Sequence, residues 1–105
     1  MSFRIKQNDT SPSLQATLKD ASNTGVDLSG ATVLFRMNSF DGTVKVESNM
    51  SIVDADNGVV RYDWQSGDTD TNGTYLVEFR VTYVDGKVET FPNTERLSLI
   101  VTKGN

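Results

Sequence analysis

The segment GDTDTNGTY, residues 67–75, holds the residue types of the first half of a calcium-binding loop. From Asp68 onward it reads D-x-D-x-N-G, a pattern in which side-chain oxygens ligate the ion and the glycine allows a sharp turn. The twelfth position of such a loop carries a bidentate glutamate, but here it is Phe79, and Glu78 comes one residue too early. The spacing therefore argues against a helix-loop-helix calcium site.

Two interpretations of this acidic segment remain. The carboxylates of Asp68 and Asp70, together with Asp54 or Asp56, could bind calcium weakly at the surface without a regular loop. Alternatively, Tyr75 begins a strand and turns its hydroxyl back to the upstream backbone, as in the tyrosine corner of immunoglobulin-like sandwiches. In that case Asp68 and Asn72 close the turn by bonding their own backbone two residues on. We favour the structural turn, and we predict no metal and no cofactor.

The composition removes most of the groups that catalyse reactions. The 105 residues include no histidine and no cysteine, so the chain lacks the commonest general base and a nucleophilic thiol. Asp54 and Asp56 form a carboxylate pair, but they lie in a turn-like segment where nothing would raise a pKa for acid catalysis. We therefore predict that the chain is not an enzyme.

Charge and hydropathy exclude two classes of partner. The net charge is −4, and single lysines and arginines are scattered from Arg4 to Lys103 without the basic stripe of a nucleic-acid groove. An acidic surface is also repelled by anionic membranes, and no apolar run approaches the ~20 residues of a membrane span. The opening MSFRIKQND lacks the apolar core of a signal peptide. We expect neither a nucleic-acid nor a membrane partner.

Nearly every segment alternates apolar and polar residues, which is the period of a half-buried β-strand. The longest such run covers residues 75–83. Asp-Gly pairs at 41–42 and 85–86 predict two-residue hairpin loops, because glycine tolerates a positive φ. The pattern predicts an all-β fold, namely one immunoglobulin-like antiparallel β-sandwich domain over residues 1–105 with seven to nine strands.

The same alternation assigns side chains to a core or to an outward face. The residues predicted for the core and the tyrosine corner are Trp64, Tyr75, Val77 and Phe79. The apolar residues predicted to point outward are Leu34, Leu76 and Ile100. Three such residues on one sheet would form an apolar patch, and such patches mark partner surfaces. The alternatives are a misjudged register and a sheet face covered by a loop.

The segment IKQNDTSPSL, residues 5–14, and the run from Tyr62 to Pro92 are the most specific parts of a wider resemblance. From about Phe3 to Thr102 the sequence resembles the N-terminal domain of the tailed-phage baseplate upper protein family. The resemblance implies an immunoglobulin-like sandwich that serves as an assembly module in virions. It implies no catalytic residues.

In that family the domain heads a longer chain, whereas this sequence ends at Asn105, directly after the last predicted strand. We expect a non-enzymatic structural protein, made in the host cytoplasm, that docks on the tail, baseplate or head–tail connector of a virion. Its partners would be other virion structural proteins, in a symmetric assembly of many copies whose weak contacts add up. The alternatives are a capsid decoration protein and a virion-borne module that binds carbohydrate or the host surface through exposed aromatics such as Phe40 and Tyr83.

Overall fold

The computed structural model describes residues 2–92 and 97–104. This part of the chain contains nine strands, which form two sheets. In chain order the strands are β1 (Ser2–Lys6), β2 (Leu14–Thr17), β3 (Thr32–Ser39), β4 (Val44–Asn49), β5 (Ser51–Asp54), β6 (Val59–Tyr62), β7 (Gly73–Thr82), β8 (Val88–Phe91) and β9 (Leu97–Thr102). No helix within the described ranges is long and apolar enough to cross a membrane.

The two sheets have the strand order of an immunoglobulin-like sandwich. The larger sheet has six strands in the order β1-β9-β7-β3-β4, with β8 also paired to β7, and the smaller sheet has the order β2-β6-β5. Strands β3, β7 and β9 occupy the C, F and G positions of that fold, and β2, β6 and β5 the B, E and D positions. The predicted all-β sandwich is confirmed, and every described strand pair is antiparallel except β1 with β9.

Strand β7 is hydrogen-bonded along both of its edges. Strand β3 pairs with it on one side, while β9 pairs with its first half and β8 with its second half on the other. Its alternation has the predicted phase, because Tyr75, Val77 and Phe79 are buried and the residues between them are not. The strand therefore contributes one face to the core and the other to the surface of the larger sheet.

An aromatic cluster joins the two sheets. Phe35 of β3 stacks on Tyr62 of β6, with ring centroids 4.4 Å apart. Trp64 meets both rings edge-on, at 5.8 Å from Phe35 and 5.2 Å from Tyr62, and its indole N–H donates to the carbonyl of Pro12 at 3.0 Å. The indole is buried and its N–H is hydrogen-bonded, so Trp64 is a core residue that leaves no buried donor unsatisfied.

Both Asp-Gly turns close three-residue loops, so the predicted two-residue loops are wrong. In the β3–β4 hairpin the Ser39 amide donates to the carbonyl of Thr43 at 2.9 Å, and residues 83–87 repeat this arrangement. A two-residue type I′ loop needs a positive φ at both central residues, but only the glycine of each pair has one, such as Gly42 at 93°. Asp41 instead accepts a hydrogen bond from the amide of Thr43 at 2.9 Å.

We expect Trp64→Ala to lower the free energy of unfolding by ~3–5 kcal/mol, because it leaves an unfilled volume between the sheets and an unpaired carbonyl at Pro12. The measurement is the midpoint of urea unfolding at a constant m-value. Phe40→Ala is the matched control: Phe40 is 68% exposed at the tip of the β3–β4 hairpin, so its loss should cost less than ~0.5 kcal/mol. Equal midpoint shifts in the two variants would contradict a core role for Trp64.

Candidate functional site

The structure places the sequence-predicted residues in two separate regions. The acidic loop, residues 65–72, connects β6 to β7. The outward face is the surface of the larger sheet that points away from the core, and it carries Leu34 on β3, Leu76 on β7 and Ile100 on β9. A metal ion would be ligated by the carboxylates of the loop, whereas a protein partner would bury the apolar side chains of the face.

In the acidic loop, Asp68 is a structural acceptor. One of its carboxylate oxygens accepts from the hydroxyl of Tyr62 at 2.5 Å and from the amide of Gln65 at 2.9 Å. The predicted bond to the backbone two residues on is therefore wrong, since this carboxylate reaches back toward β6. Burial, reinforced by the hydrogen bond to Asp68, raises the pKa of the Tyr62 hydroxyl above its usual value. Asp68 thus fastens the loop to the smaller sheet.

Asp70 points to a different set of partners. Its carboxylate forms an ion pair with Lys45 of β4 and accepts from the Thr71 hydroxyl at 3.0 Å, and both contacts lower its pKa, the Lys45 contact most. Asp54 is occupied elsewhere and accepts from the side-chain amide of Asn57 at 2.8 Å. Within residues 2–92 and 97–104, no three acidic side chains come close enough to hold a metal ion.

Tyr75 forms the tyrosine corner. Its ring is buried at the start of β7, and its hydroxyl donates to the carbonyl of Thr71 at 2.7 Å. Gly73, between them, has a φ of 153°, which residues with a side chain rarely adopt. The sequence DTNGTY therefore provides both the glycine that lets the chain turn and the hydroxyl that holds the turn closed.

Sequence reasoning missed a clamp on the acidic loop. Thr69 is 2% exposed, and its hydroxyl donates to the carbonyl of Asp9 at 2.8 Å. The amide of Asn8 donates to the Thr69 carbonyl at 2.9 Å, and the Gln7 side-chain amide donates to the Asp70 carbonyl at 2.7 Å. The signal was the family-specific segment IKQNDTSPSL. Its middle residues fix the loop through contacts 60 or more positions away in the chain.

On the outward face, two of the three predicted apolar residues are neighbours. Ile100 lies opposite Thr74 and Leu76 lies opposite Ser98, so the two apolar side chains are diagonal neighbours across β7 and β9. Leu34 lies opposite Arg80, which is about 14 Å along the strand from Leu76. All three side chains are half-buried. The three therefore form a pair and a separate third residue, not one patch.

A charged row separates Leu34 from the other two. Arg36 of β3 lies opposite Glu78 of β7 on one side and opposite Glu47 of β4 on the other. The Arg36 guanidinium donates to the Glu47 carboxylate through Nε at 2.8 Å and through Nη2 at 2.5 Å. The outward face thus has an apolar pair toward the β3–β4 hairpin, a charged row, and then Leu34.

Val44 extends the apolar pair and was missed from the sequence. It lies opposite Asn38, which itself lies opposite Leu76, and it is 47% exposed. Strict alternation would place Val44 on the same side as Val46, which is buried. A β-bulge between Met37 and Asn38 breaks that alternation, and no signal in the sequence marks the bulge.

We expect Tyr75→Phe to cost ~1–2 kcal/mol of stability, because it removes the part-buried hydrogen bond that the Tyr75 hydroxyl donates to the Thr71 carbonyl. The measurement is again the urea midpoint. Thr71→Ala is the control, since the corner uses only the backbone of Thr71 and this change should cost less than ~0.5 kcal/mol. A Tyr75→Phe midpoint that matches the unsubstituted protein would refute the corner assignment.

We expect calcium at millimolar concentration to bind nowhere in the acidic loop, because Asp68 and Asp70 direct their oxygens to different partners. Calorimetric titration should show no saturable heat. The melting temperature should not change with added calcium, either in the unsubstituted protein or in Asp70→Ala. A rise of several degrees that Asp70→Ala abolishes would establish a calcium site instead.

Comparison with known proteins identifies the family of the chain. Residues 2–104 match the family model described as the BppU N-terminal domain. No protein of curated function matches the sequence. Among solved structures, the crystal structure of CopC from Methylosinus trichosporium OB3b is similar with a TM-score of 0.57 and 14% identity, over 99% of this chain and 86% of that one, which shows a shared fold alone. Since the family model spans nearly the whole sequence, the chain belongs to the BppU N-terminal domain family of phage baseplate upper proteins.

Proposed function

We propose that the chain is a non-enzymatic assembly domain that docks on other virion structural proteins through the outward face of its larger sheet. The family makes it a baseplate structural domain and a component of the virion. The docking surface is the finer proposal. The observation that supports it is the pair Leu76 and Ile100, which lie together on the face opposite the core.

The energetics of this pair favour a partner. The core takes its apolar area from the inward residues of the same strands, so Leu76 and Ile100 are not needed to fill it. Fully burying an aliphatic side chain of this size contributes ~1.5–3 kcal/mol, and half-buried residues still have roughly half of that to gain. Val44 adds further exposed apolar area on the same row, with Asn38 between it and Leu76. A partner that covers this region would therefore gain binding free energy at little cost to folding.

The small size of the apolar region suggests repetition. A patch built around two or three aliphatic side chains binds weakly on its own, but contacts made by many copies on a symmetric virion reinforce one another through effective concentration. We propose that the chain, made in the host cytoplasm, acts in multiple symmetric copies as a single domain. Its partners are then baseplate or tail proteins.

A second candidate, a module that binds carbohydrate or the host surface, depends on one residue. Of the nine aromatic residues, all within the described ranges, only Phe40 is exposed. Tyr83 is half-buried against the core, and its hydroxyl donates to Glu89 at 2.8 Å. Burial, reinforced by this hydrogen bond, raises the pKa of the Tyr83 hydroxyl to about 12. A single exposed ring supports a sugar platform less well than the outward face supports docking.

We expect Leu76→Ser combined with Ile100→Ser to reduce incorporation into phage particles sharply while the chain still folds. Losing two half-buried side chains should cost ~2 kcal/mol, or about 10 °C in melting temperature. Leu34→Ser alone should reduce incorporation less, because the charged row separates Leu34 from the pair. The measurements are thermal unfolding of the purified chain and quantitative mass spectrometry of purified particles.

The control for lost stability is Ile52→Ser. Ile52 is partly buried against the core on β5 of the smaller sheet, so its substitution destabilises the chain without touching the outward face. Ile52→Ser should leave incorporation near normal. Normal copy number of the Leu76/Ile100 variant would disprove the docking proposal, and so would an equal loss in the Ile52 variant.

A further inference from the structure

We infer that the partner of the outward face is an acidic protein surface, one that presents carboxylates around an apolar centre. This inference rests on the proposed docking function and specifies the chemistry of its partner. It follows from the uneven distribution of charge over the molecule, which the net charge of the whole chain does not show.

The outward face is cationic in an acidic protein. Its strand positions carry four cations and two carboxylates, a net charge of +2. The cations are Arg4, Lys6, Arg36 and Arg80, and the carboxylates are Glu47 and Glu78. The whole chain has a net charge of −4, so the rest of it carries −6. The sign of the charge that a docking partner meets is therefore opposite to that of the chain as a whole.

The cations that are available to a partner lie beside the apolar residues. Arg4 of β1 lies opposite Ile100, and Arg80 lies opposite Leu34. Both arginines and Lys6 are exposed, and none of the three forms an ion pair with any residue in the described ranges. The two carboxylates of the face instead lie next to Arg36, which is bonded to Glu47. A partner would therefore meet unpaired positive charge from Arg4 and Lys6 on the side of the apolar pair, and from Arg80 beside Leu34 beyond the charged row.

Electrostatics selects the kind of partner that such a face accepts. A carboxylate-bearing surface gains from Arg4, Lys6 and Arg80 and is steered toward the face, whereas a basic surface is repelled. Nucleic acid fits less well, because Glu78 and Glu47 interrupt the positive charge and a phosphate backbone needs a continuous basic track. The apolar pair also offers nothing to a phosphate backbone. A protein surface with acidic residues around an apolar centre satisfies both parts of the face.

The test uses phage particles assembled without this chain, to which the purified full chain is added at 50 and 500 mM NaCl. Binding is measured by co-sedimentation with the particles. We expect Arg4→Gln with Arg80→Gln to weaken binding about tenfold at 50 mM, and the difference to shrink to about threefold or less at 500 mM, because salt screens the charges. The matched control is Lys19→Gln with Arg61→Gln, which removes the same charge from the side of the smaller sheet and should bind as the unsubstituted chain does.

Four results would overturn the inference. The first is binding that does not depend on salt, and the second is an equal loss in the control. The third is salt-dependent self-association of the chain alone in sedimentation velocity that Arg4→Gln with Arg80→Gln abolishes, since the occupant would then be a second copy. The fourth is tight binding of duplex DNA. Normal binding by the Leu76→Ser/Ile100→Ser variant would instead disprove the docking function itself, and loss in that variant alone would disprove only the acidic partner.

Discussion

The register of β7 is the constraint on which both the core and the outward face depend. Because side chains alternate between the two sides of a strand, a slip of one residue would turn Tyr75, Val77 and Phe79 toward solvent. The same slip would turn Leu76 and Glu78 toward the core. Hydrogen bonding along both edges of β7 prevents such a slip, and the Tyr75 hydroxyl fixes where the strand begins. The same backbone pairing therefore defines which side chains are buried in the core and which lie on the proposed docking face.

The acidity of the chain comes largely from the chemistry of its turns. Aspartates at 20, 27, 41 and 85 each accept a hydrogen bond from a nearby backbone amide in a connection between strands. Hydrogen bonds from Ser39 and Thr43 lower the pKa of Asp41 to about 2, so it stays ionised in this role. Negative charge thus accumulates where the chain reverses, while the outward positions of the larger sheet keep an excess of arginine and lysine. Net charge alone describes neither region.

Sequence alone predicted those features that depend on local period and local chemistry. Alternation identified the inward side of β7 and the outward position of Leu76, and the order of residue types around Tyr75 identified the corner. What could not be predicted depends on contacts distant in the chain. The bulge that turns Val44 outward requires the pairing of β3 with β4, and the clamp around Thr69 requires the segment that follows β1 to lie beside the acidic loop.

The arrangement of the outward face separates two requirements of a docking surface. Apolar contact supplies binding free energy but little orientation, because the hydrophobic effect is not directional. The row of Glu78, Arg36 and Glu47 crosses the sheet between Leu34 and Leu76, and a partner can cover it only if charges of opposite sign face each member of the row. A partner shifted by one row would bury these charges against apolar groups, which is costly. In the proposed docking, the apolar pair therefore favours association, and the charged row allows it in one orientation.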